Sequence, residues 1–408
     1  MAEHYDAAET QDPERREADL FRRLRGHLRD LLPRTSALRS QIGDVDAESL
    51  TDRAALAALP VLRKPELMAM QAERPPFGGM LPEGAMPPRV FVSPGPIYEP
   101  QPSGADPYAS ARALHAAGFR AGDTIANCFG YHATPGGFIL DEGARALGCT
   151  VYPAGPGNTD ALVEALAAFR PVGYVGTPDF LKTVLDRADE KGADLSSITR
   201  ALVSGGALFP NLREEYAERG VRVMQCYATA DLGVIAYESE ADGEIQPGMV
   251  LNEGLIAEIV TPGTGDPVAA GEVGEIVVTS LNPDWPLVRF GTGDMTKLLD
   301  GASACGRTNR RIAGWMGRAD QRTKVKGMFV DPAQVARVVS RLGLERARLV
   351  VARENDADAM VLCFVGDAEP QAVAAALREE TGLGGAAERA EALPADGIVI
   401  EDARDYDA

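Results

Sequence analysis

The spacing of hydrophobic and polar positions changes three times along the chain. Up to about residue 75, apolar residues recur at helical spacing, as in "ADLFRRLRGHLRDLLPR", and prolines break up shorter segments. From about 110 to 235, short apolar runs alternate with helical stretches. Beyond 245 the pattern is that of β-strands, and from about 320 helix and strand patterns alternate again. We predict a peripheral helical segment, a helix-covered sheet, an all-β part and a small α+β part.

The middle part predicts a parallel sheet of an α/β protein. Helix patterns such as "TDALVEALAAFR" and "NLREEYAERG" separate its apolar runs. Strands that are joined through helices run parallel, and the helices cover the faces of the sheet. The predicted strands are residues 124–128, 149–153, 172–176, 200–204 and 221–226.

Small polar residues follow these strands in the loops "FGYHATPGG", "SGGALFP" and "YATADLG". In an open α/β sheet, ligands bind at the carboxyl ends of the strands, where helix N-termini present backbone N–H groups. The loops therefore supply candidate site residues, although ordinary turns and helix caps also favour Gly, Ser, Thr and Asp. The candidates in the first two loops are Tyr131, His132, Gly136, Gly137, Gly205 and Gly206.

Composition narrows the function classes. A formal net charge of -19 over 408 residues argues against binding to nucleic acid or to an anionic membrane, because both require basic surface. The N-terminus lacks the apolar core of a signal peptide and no run has the length of a membrane span, so we expect a cytoplasmic protein. Five cysteines without a CxxC pair indicate reduced thiols.

The order of several short motifs resembles the phenylacetate-CoA-ligase-like branch of the adenylate-forming (AMP-binding) superfamily. The resemblance covers roughly residues 85 to 345. The motifs are "NCFGYHATPGG", "GCTVYPAGPGNTD", "GTPDFL", "CYATADLG", "GEIVVTSL", "PLVRFGTGDMTKL" and "CGRTNRRIAGWMGRADQRTKVKGMFVDPAQV". It implies a large N-terminal domain, residues 1–317, with helix-covered parallel sheets and a β-barrel-like subdomain. A small mobile α+β domain, residues 318–408, would follow.

The resemblance also implies an activity. The family converts a carboxylic acid to an acyl-AMP with ATP and Mg, and then to a CoA thioester after the small domain rotates. Tyr227 would stack on adenine and Asp294 would accept hydrogen bonds from the ribose hydroxyls. Arg318 would reach ribose or phosphate, and Asp320 would mark the hinge.

Further positions take roles from the same resemblance. Lys324, Lys326 and Gly327 would present a loop to CoA, because cations suit its phosphates. His132 would lie in the acyl pocket as an acid, a base or an orienting group. The other expected cofactor-binding residues are Gly205, Gly206, Ala228 and Thr229, and the expected pocket residues are Tyr98, Tyr131, Gly136 and Gly137.

The chain departs from the family pattern where the polyphosphate should bind. The family's phosphate loop is rich in Ser, Thr and Gly and ends in Gly-Lys, whereas residues 91–100 read "FVSPGPIYEP". Prolines donate no N–H, and Glu99 would repel phosphate. Asp231 replaces the family's glutamate near Mg, and we expect it to bind Mg only if ATP is used. No lysine follows Lys326, although the family's catalytic lysine belongs near Gly397.

No zinc is expected. Some members of the branch carry a Cys/His zinc cluster, and Cys305 resembles one ligand. Ser239 and Met249 stand at other ligand positions, and a structural zinc ion needs four N or S ligands.

Three hypotheses follow. The first is a CoA-ligase-type enzyme that handles a small or aromatic carboxylate and CoA, with ATP use left open. The second is an ATP-independent acyltransferase that moves an acyl group between CoA and an acyl carrier protein or small acceptor. The third is an inactive binding homologue. In each case we expect CoA or acyl-CoA as the cofactor, no nucleic-acid or membrane partner, and a homodimer as one form of assembly.

Overall fold

The computed structural model describes residues 3–206, 208–319, 321–354, 357–394 and 398–404. Its backbone divides into two compact units, Met1–Trp315 and Met316–Ala408. Each unit has its own buried core, as expected of separate domains.

The helices alternate with strands over much of the chain. The α-helices are α1 Pro13–Leu31, α2 Ser36–Ile42, α3 Arg53–Ala57, α4 Lys64–Glu73, α5 Ala111–Ala116, α6 Gly136–Leu147, α7 Thr159–Phe169, α8 Pro178–Lys191, α9 Pro210–Glu218, α10 Pro332–Leu342 and α11 Pro370–Thr381. Short 3₁₀ helices span Ala7–Thr10 and Ala47–Ser49.

The strands form two larger sheets in the first unit, one in the second, and several hairpins. They are β1 Leu62–Arg63, β2 Val90–Ser93, β3 Ile97–Pro100, β4 Thr124–Asn127, β5 Thr150–Pro153, β6 Gly173–Gly176, β7 Arg200–Val203, β8 Arg222–Thr229, β9 Gly233–Tyr237, β10 Glu240–Ala241, β11 Glu244–Ile245, β12 Met249–Leu251, β13 Leu255–Val260, β14 Gly274–Ser280, β15 Phe290–Thr296, β16 Leu298–Leu299, β17 Arg311–Ile312, β18 Thr323–Val325, β19 Met328–Val330, β20 Arg346–Glu354, β21 Ala357–Val365, β22 Ala386–Arg389 and β23 Ile400–Asp402.

The nine-stranded sheet of the first unit contains the predicted parallel strands. Its order is β16-β17-β12-β9-β8-β7-β6-β4-β5, and the pairs from β8 to β5 are all parallel. The predicted α/β class and the five predicted parallel strands are confirmed. At β8 the sheet changes to antiparallel pairing with β9. The loop between β8 and β9 carries the end of the motif "YATAD".

The N-terminal segment is part of the core, so the prediction of a peripheral segment is wrong. The buried face of α1, including Phe21 and Leu24, packs with Ile256 and Val288. Strand β1 joins the four-stranded sheet β1-β15-β14-β13 by parallel pairing with β15. The two-residue strand gave no sequence signal, because period-2 alternation needs a longer run to be recognised.

The sheet of the second unit is built on the long antiparallel strands β20 and β21, and one shorter strand pairs with each of them in parallel. Its sheet has the order β22-β21-β20-β23, and α10 and α11 contribute apolar residues to its core. The predicted helix, strand, strand, helix order is therefore confirmed. Among the described residues, no helix combines the length and the apolar character required to cross a membrane.

Candidate functional site

Two residues predicted to bind the nucleoside meet in the structure. The Tyr227 hydroxyl, at the end of β8, donates a hydrogen bond of 2.7 Å to Oδ2 of Asp294 on β15. The Trp315 indole N–H donates to Oδ1 of the same carboxylate at 3.1 Å. Asp294 is buried, and the two aromatic donors fix the plane of its carboxylate. Residues 67 positions apart thus form one preorganised acceptor site.

The segment at the position of the phosphate loop is a tight β-hairpin. Strands β2 and β3 pair from Val90 opposite Pro100 to Ser93 opposite Ile97, which leaves three residues in the turn. Alternation along β3 exposes Tyr98 and buries Glu99. The side chain of Gln71 on α4 binds the backbone of Tyr98 through both N–H and C=O, at 2.9 and 2.7 Å. The hairpin is thereby held against α4.

Glu99 belongs to a buried charged cluster with Asp231 and Lys64. The Ser93 hydroxyl donates to Glu99 Oε1 at 2.8 Å, and the Lys64 ammonium lies 2.9 Å from Asp231 Oδ2. Burial, and then the negative charge of Asp231, raise the pKa of Glu99 well above its usual value of 4.5. The Glu99 carboxyl therefore retains its proton to higher pH than an exposed glutamate does, because its charged form is desolvated and lies near the negative charge of Asp231.

The surroundings of Asp231 do not fit a magnesium ion. The side chain of Asp231 is 1% exposed and already carries the Lys64 ion pair. Mg²⁺ requires octahedral oxygen ligands and usually keeps several waters. Within the described parts of the chain, no three His, Cys, Asp or Glu side chains are grouped as metal ligands.

The raised pKa of Glu99 leads to a prediction for Glu99→Gln. A raised folded-state pKa gives wild type a contribution to stability that is full below the unfolded pKa near 4.5 and is lost as pH rises through the folded pKa. The glutamine amide donates to Asp231 at every pH, so the melting temperature of the variant relative to wild type should increase from pH 5 to pH 8. Thermal unfolding across this range measures the difference. The exposed Glu73→Gln, on α4, is the control and should not change the pH slope. Parallel curves for wild type and Glu99→Gln would contradict the raised pKa of Glu99.

The loop from Gly130 to Gly136 places Tyr131 against the start of α6. Asn127 Nδ2 donates to the Gly137 carbonyl at 2.8 Å, and the Tyr131 hydroxyl donates to Asp141 Oδ2 at 2.7 Å. Tyr131 and Phe138 line an open cleft of about 540 Å³ beside the edge strand β5. His132 is exposed at the tip of this loop. In the described residues no polar contact joins it to Asp231.

Gly137 makes room for the Tyr131 ring. A Cβ atom at Gly137 would lie 2.8 Å from the ring, whereas a Cβ at Gly136 would meet nothing closer than 3.7 Å. We predict that Gly137→Ala costs about 1–3 kcal/mol of unfolding free energy, because overpacking displaces the ring. Denaturant unfolding measures this, and Gly136→Ala is the matched control, expected to cost much less. Equal effects of the two substitutions would show that the ring contact is unimportant.

The remaining predicted residues of the first unit lie at the ends of the neighbouring parallel strands β7 and β8, or directly after them. Gly205 and Gly206 follow β7, where Gly205 has a φ of 72° that favours glycine. Ala228 and Thr229 end β8, next to Tyr227. The Thr229 hydroxyl is buried and has no hydrogen-bond partner among the described residues. Such a group is satisfied by a ligand or water in most proteins.

In the second unit, Lys326 and Gly327 form the turn of the β18–β19 hairpin. Both have positive φ, 49° and 83°, as a two-residue hairpin turn requires. The Lys326 N–H donates to Asp358 Oδ2 at 2.8 Å. Arg404 donates to the carbonyl of Lys324 at 2.9 Å and fixes the hairpin to the last described residues of the chain.

Cations surround Phe329 on the same hairpin. Arg318, Arg322 and Lys324 lie 5.9, 4.6 and 5.6 Å from the centre of its ring. Two predicted ligand-binding cations, Arg318 and Lys324, therefore share one aromatic platform. Asp320, the expected hinge, and Gly397 lie outside the described residues.

The surroundings of Cys305 do not resemble a zinc site. Its Sγ lies 3.0 Å from the Ser303 hydroxyl. Burial acts to raise the pKa of the thiol, but hydrogen bonds from Ser239, Ser303 and Arg307 outweigh burial and lower it. Arg307 pairs with the buried Glu9 at 2.6 Å, so an ion pair fills the adjacent space. Hydroxyl and guanidinium groups are not the N and S ligands that zinc prefers.

Three residues of the site were missed by sequence reasoning: Lys64, Asp141 and Trp315. Trp315 stands within the motif "IAGWMGRAD", and an aromatic residue beside a predicted ligand-binding arginine was a usable signal. Lys64 gave none. It is 167 positions from Asp231 by their numbers, and only the pairing of β1 with β15 brings it near.

Comparison with known proteins agrees with the family resemblance. The model of the AMP-binding enzyme family matches residues 137–282. The phenylacetate-coenzyme A ligase of Thermus thermophilus is 32% identical over 254 residues, which span 61% of this chain and 57% of that protein. The phenylacetate-coenzyme A ligase of Pseudomonas putida is 30% identical over a region that spans 57% of this chain and 53% of that protein. The matched region thus covers little more than half of these two relatives.

A solved structure extends the likeness of the fold. The crystal structure of 2-hydroxyisobutyryl-CoA ligase, in complex with 2-HIB-AMP and CoA, superposes with a TM-score of 0.80. At 21% identity it covers 98% of this chain and 92% of that chain, so it shows a shared fold. The predicted adenylate-forming fold and the resemblance to the phenylacetate-CoA-ligase-like branch are confirmed.

Proposed function

We propose that this chain, which resembles the phenylacetate-CoA-ligase-like branch of the adenylate-forming superfamily, is an acyl-CoA-ligase-type enzyme. It would handle a small or aromatic carboxylate and CoA. The observation that carries the proposal is the 2.7 Å hydrogen bond between Tyr227 and Asp294, because it joins the two residues expected to hold adenosine. The Trp315 indole supports the same carboxylate.

Each residue then has a defined task. Tyr227 offers an aromatic face to the adenine base, and the fixed Asp294 carboxylate accepts hydrogen bonds from the ribose hydroxyls. The buried Thr229 hydroxyl, which lacks a partner in the described residues, donates to an anionic oxygen of the substrate. In the second unit, Lys324 and Lys326 interact with phosphates of CoA.

A second function, acyl transfer without ATP, is favoured by the hairpin at the phosphate-loop position. Its turn of Pro94, Gly95 and Pro96 offers a single backbone N–H, whereas a phosphate cradle needs several. The Lys64 ion pair also occupies Asp231, the residue expected near Mg. Such an enzyme would take the acyl group from acyl-CoA and pass it to a carrier protein or small acceptor.

Two assays on the full chain separate these functions. Pyrophosphate exchange with a panel of small and aromatic acids detects adenylate formation, and calorimetry detects binding of AMP, CoA and acyl-CoA. Exchange with at least one acid supports the ligase. Binding of acyl-CoA without any exchange supports the transferase. Binding of none of the three compounds would refute both proposals.

A further inference from the structure

Lys64 lies at the junction of the hairpin, β15 and the β8–β9 loop. Its ammonium nitrogen is 2.9 Å from Asp231 Oδ2 and 5.8 Å from the centre of the Phe290 ring. The Asp231 side chain is 1% exposed, while that of Lys64 retains 26%. One side of the lysine thus contacts a buried carboxylate, and part of the side chain remains accessible to solvent.

The backbone on both sides of Lys64 is fixed. Leu62 and Arg63 pair with Phe290 and Gly291, so Lys64 directly follows a strand of the sheet that contains Asp294. The Arg63 N–H donates to Glu66 Oε2 at 3.0 Å and caps α4. Gln71 on the same helix holds the hairpin that carries Glu99. Lys64 therefore sits on a rigid element, as a preorganised binding group requires.

The buried charge of Asp231 already has a positively charged side chain beside it. The Lys64 ammonium lies 2.9 Å from Asp231 Oδ2 and places one positive charge beside this buried carboxylate. The Asp231 side chain is only 1% exposed, whereas a bound Mg²⁺ usually keeps several water ligands. The site expected to hold magnesium is thus already neutralised by a side chain.

We propose that Lys64 is the resident cation of this site: its ammonium replaces a divalent metal ion at Asp231 and binds an anionic oxygen of the substrate. The ammonium has three N–H donors, and only one is needed for Asp231. The ligand class is a carboxylate or phosphate that arrives without a bound metal. The identity of that ligand rests on the proposed function, whereas the exclusion of the metal does not.

The metal is tested first, without substrate. Paramagnetic resonance of Mn²⁺ titrated into the full wild-type chain should show only the spectrum of the free ion. A stoichiometric bound Mn²⁺ that disappears in Asp231→Asn would overturn the proposal. This readout needs no activity, so it remains decisive even if the proposed function fails.

Binding of anions is tested next, by calorimetry with benzoate, AMP and ATP in excess EDTA or excess MgCl₂. We expect Mg²⁺ to leave all three affinities nearly unchanged, and a tightening of ATP binding by more than about tenfold would refute the proposal. Lys64→Met should weaken binding of benzoate, AMP or both by at least about tenfold, which identifies the bound oxygen as carboxylate or phosphate. Lys64→Arg should retain most of the affinity.

The matched control is Lys182→Met on α8, a lysine of similar exposure, 28%, that pairs with Glu215. It should bind as wild type does. If Lys64→Met does not fold, the anion affinities of Lys64→Arg and the effect of Mg²⁺ on wild type still test the proposal. Unchanged affinities in Lys64→Met, or wild type that binds none of the three anions, would overturn the role in anion binding.

Discussion

Replacing Arg289 with methionine should reduce the unfolding free energy of the larger unit by about 3–5 kcal/mol. The substitution breaks a buried ion pair and leaves the carboxylate of Glu258 buried without its positively charged partner. Arg289 is 2% exposed, and its Nε donates to Glu258 Oε2 at 3.0 Å. Its other nitrogens donate to the carbonyls of Ala57, Leu59 and Gly265. The side chain thus fixes the segment that leads into β1.

Denaturant unfolding followed by tryptophan fluorescence measures this loss, since both tryptophans, Trp285 and Trp315, lie in the larger unit. Arg22→Met removes an arginine from an exposed pair with Asp19 and is the control, with little change expected. An Arg289 variant as stable as wild type would mean that the chain readily relaxes around the lost contacts.

The same variant should also impair anion binding, because β1 positions Lys64.

Asp294→Asn should weaken AMP binding by about tenfold or more while the protein still folds. The asparagine oxygen can accept from the Trp315 N–H, and its NH₂ group can donate to the Tyr227 hydroxyl, which is able to accept. The internal contacts therefore survive. What is lost is the negative charge and one acceptor oxygen for the ribose.

Calorimetric titration with AMP measures the effect, and thermal unfolding confirms that the variant is folded. The exposed Asp300→Asn, shortly beyond β15, is the control and should bind AMP as wild type does. Equal AMP affinities for Asp294→Asn and wild type would refute the assignment of the ribose site. A wild-type protein that does not bind AMP would instead count against the ligase function itself.

The structure and the sequence analysis agree where the signal is local. The strands of the parallel sheet, the helices between them and the α+β pattern after 320 follow from apolar spacing, and the structure has them. Tyr227 and Asp294 were paired through the family resemblance, and their hydrogen bond is a finding of the structure. Tyr98 was expected to line a pocket, and the neighbouring Glu99 was expected to repel phosphate. Strand alternation places them on opposite faces of the hairpin.

What the sequence determined by itself is the order of secondary structure, the likeness to a family, and the chemical departure at residues 91–100. Each of these features depends on residues that are close together in the sequence. Only the tertiary structure decided that Lys64, Glu99 and Asp231 form one cluster, in which the Lys64 ammonium lies 2.9 Å from Asp231 Oδ2 and the pKa of Glu99 is raised. The physical reason is that pKa shifts and ion pairs depend on burial and on distances across the chain. The pairing of the two-residue strand β1 with β15 brings Lys64 close to Asp231, and no periodicity in the sequence predicts this pairing.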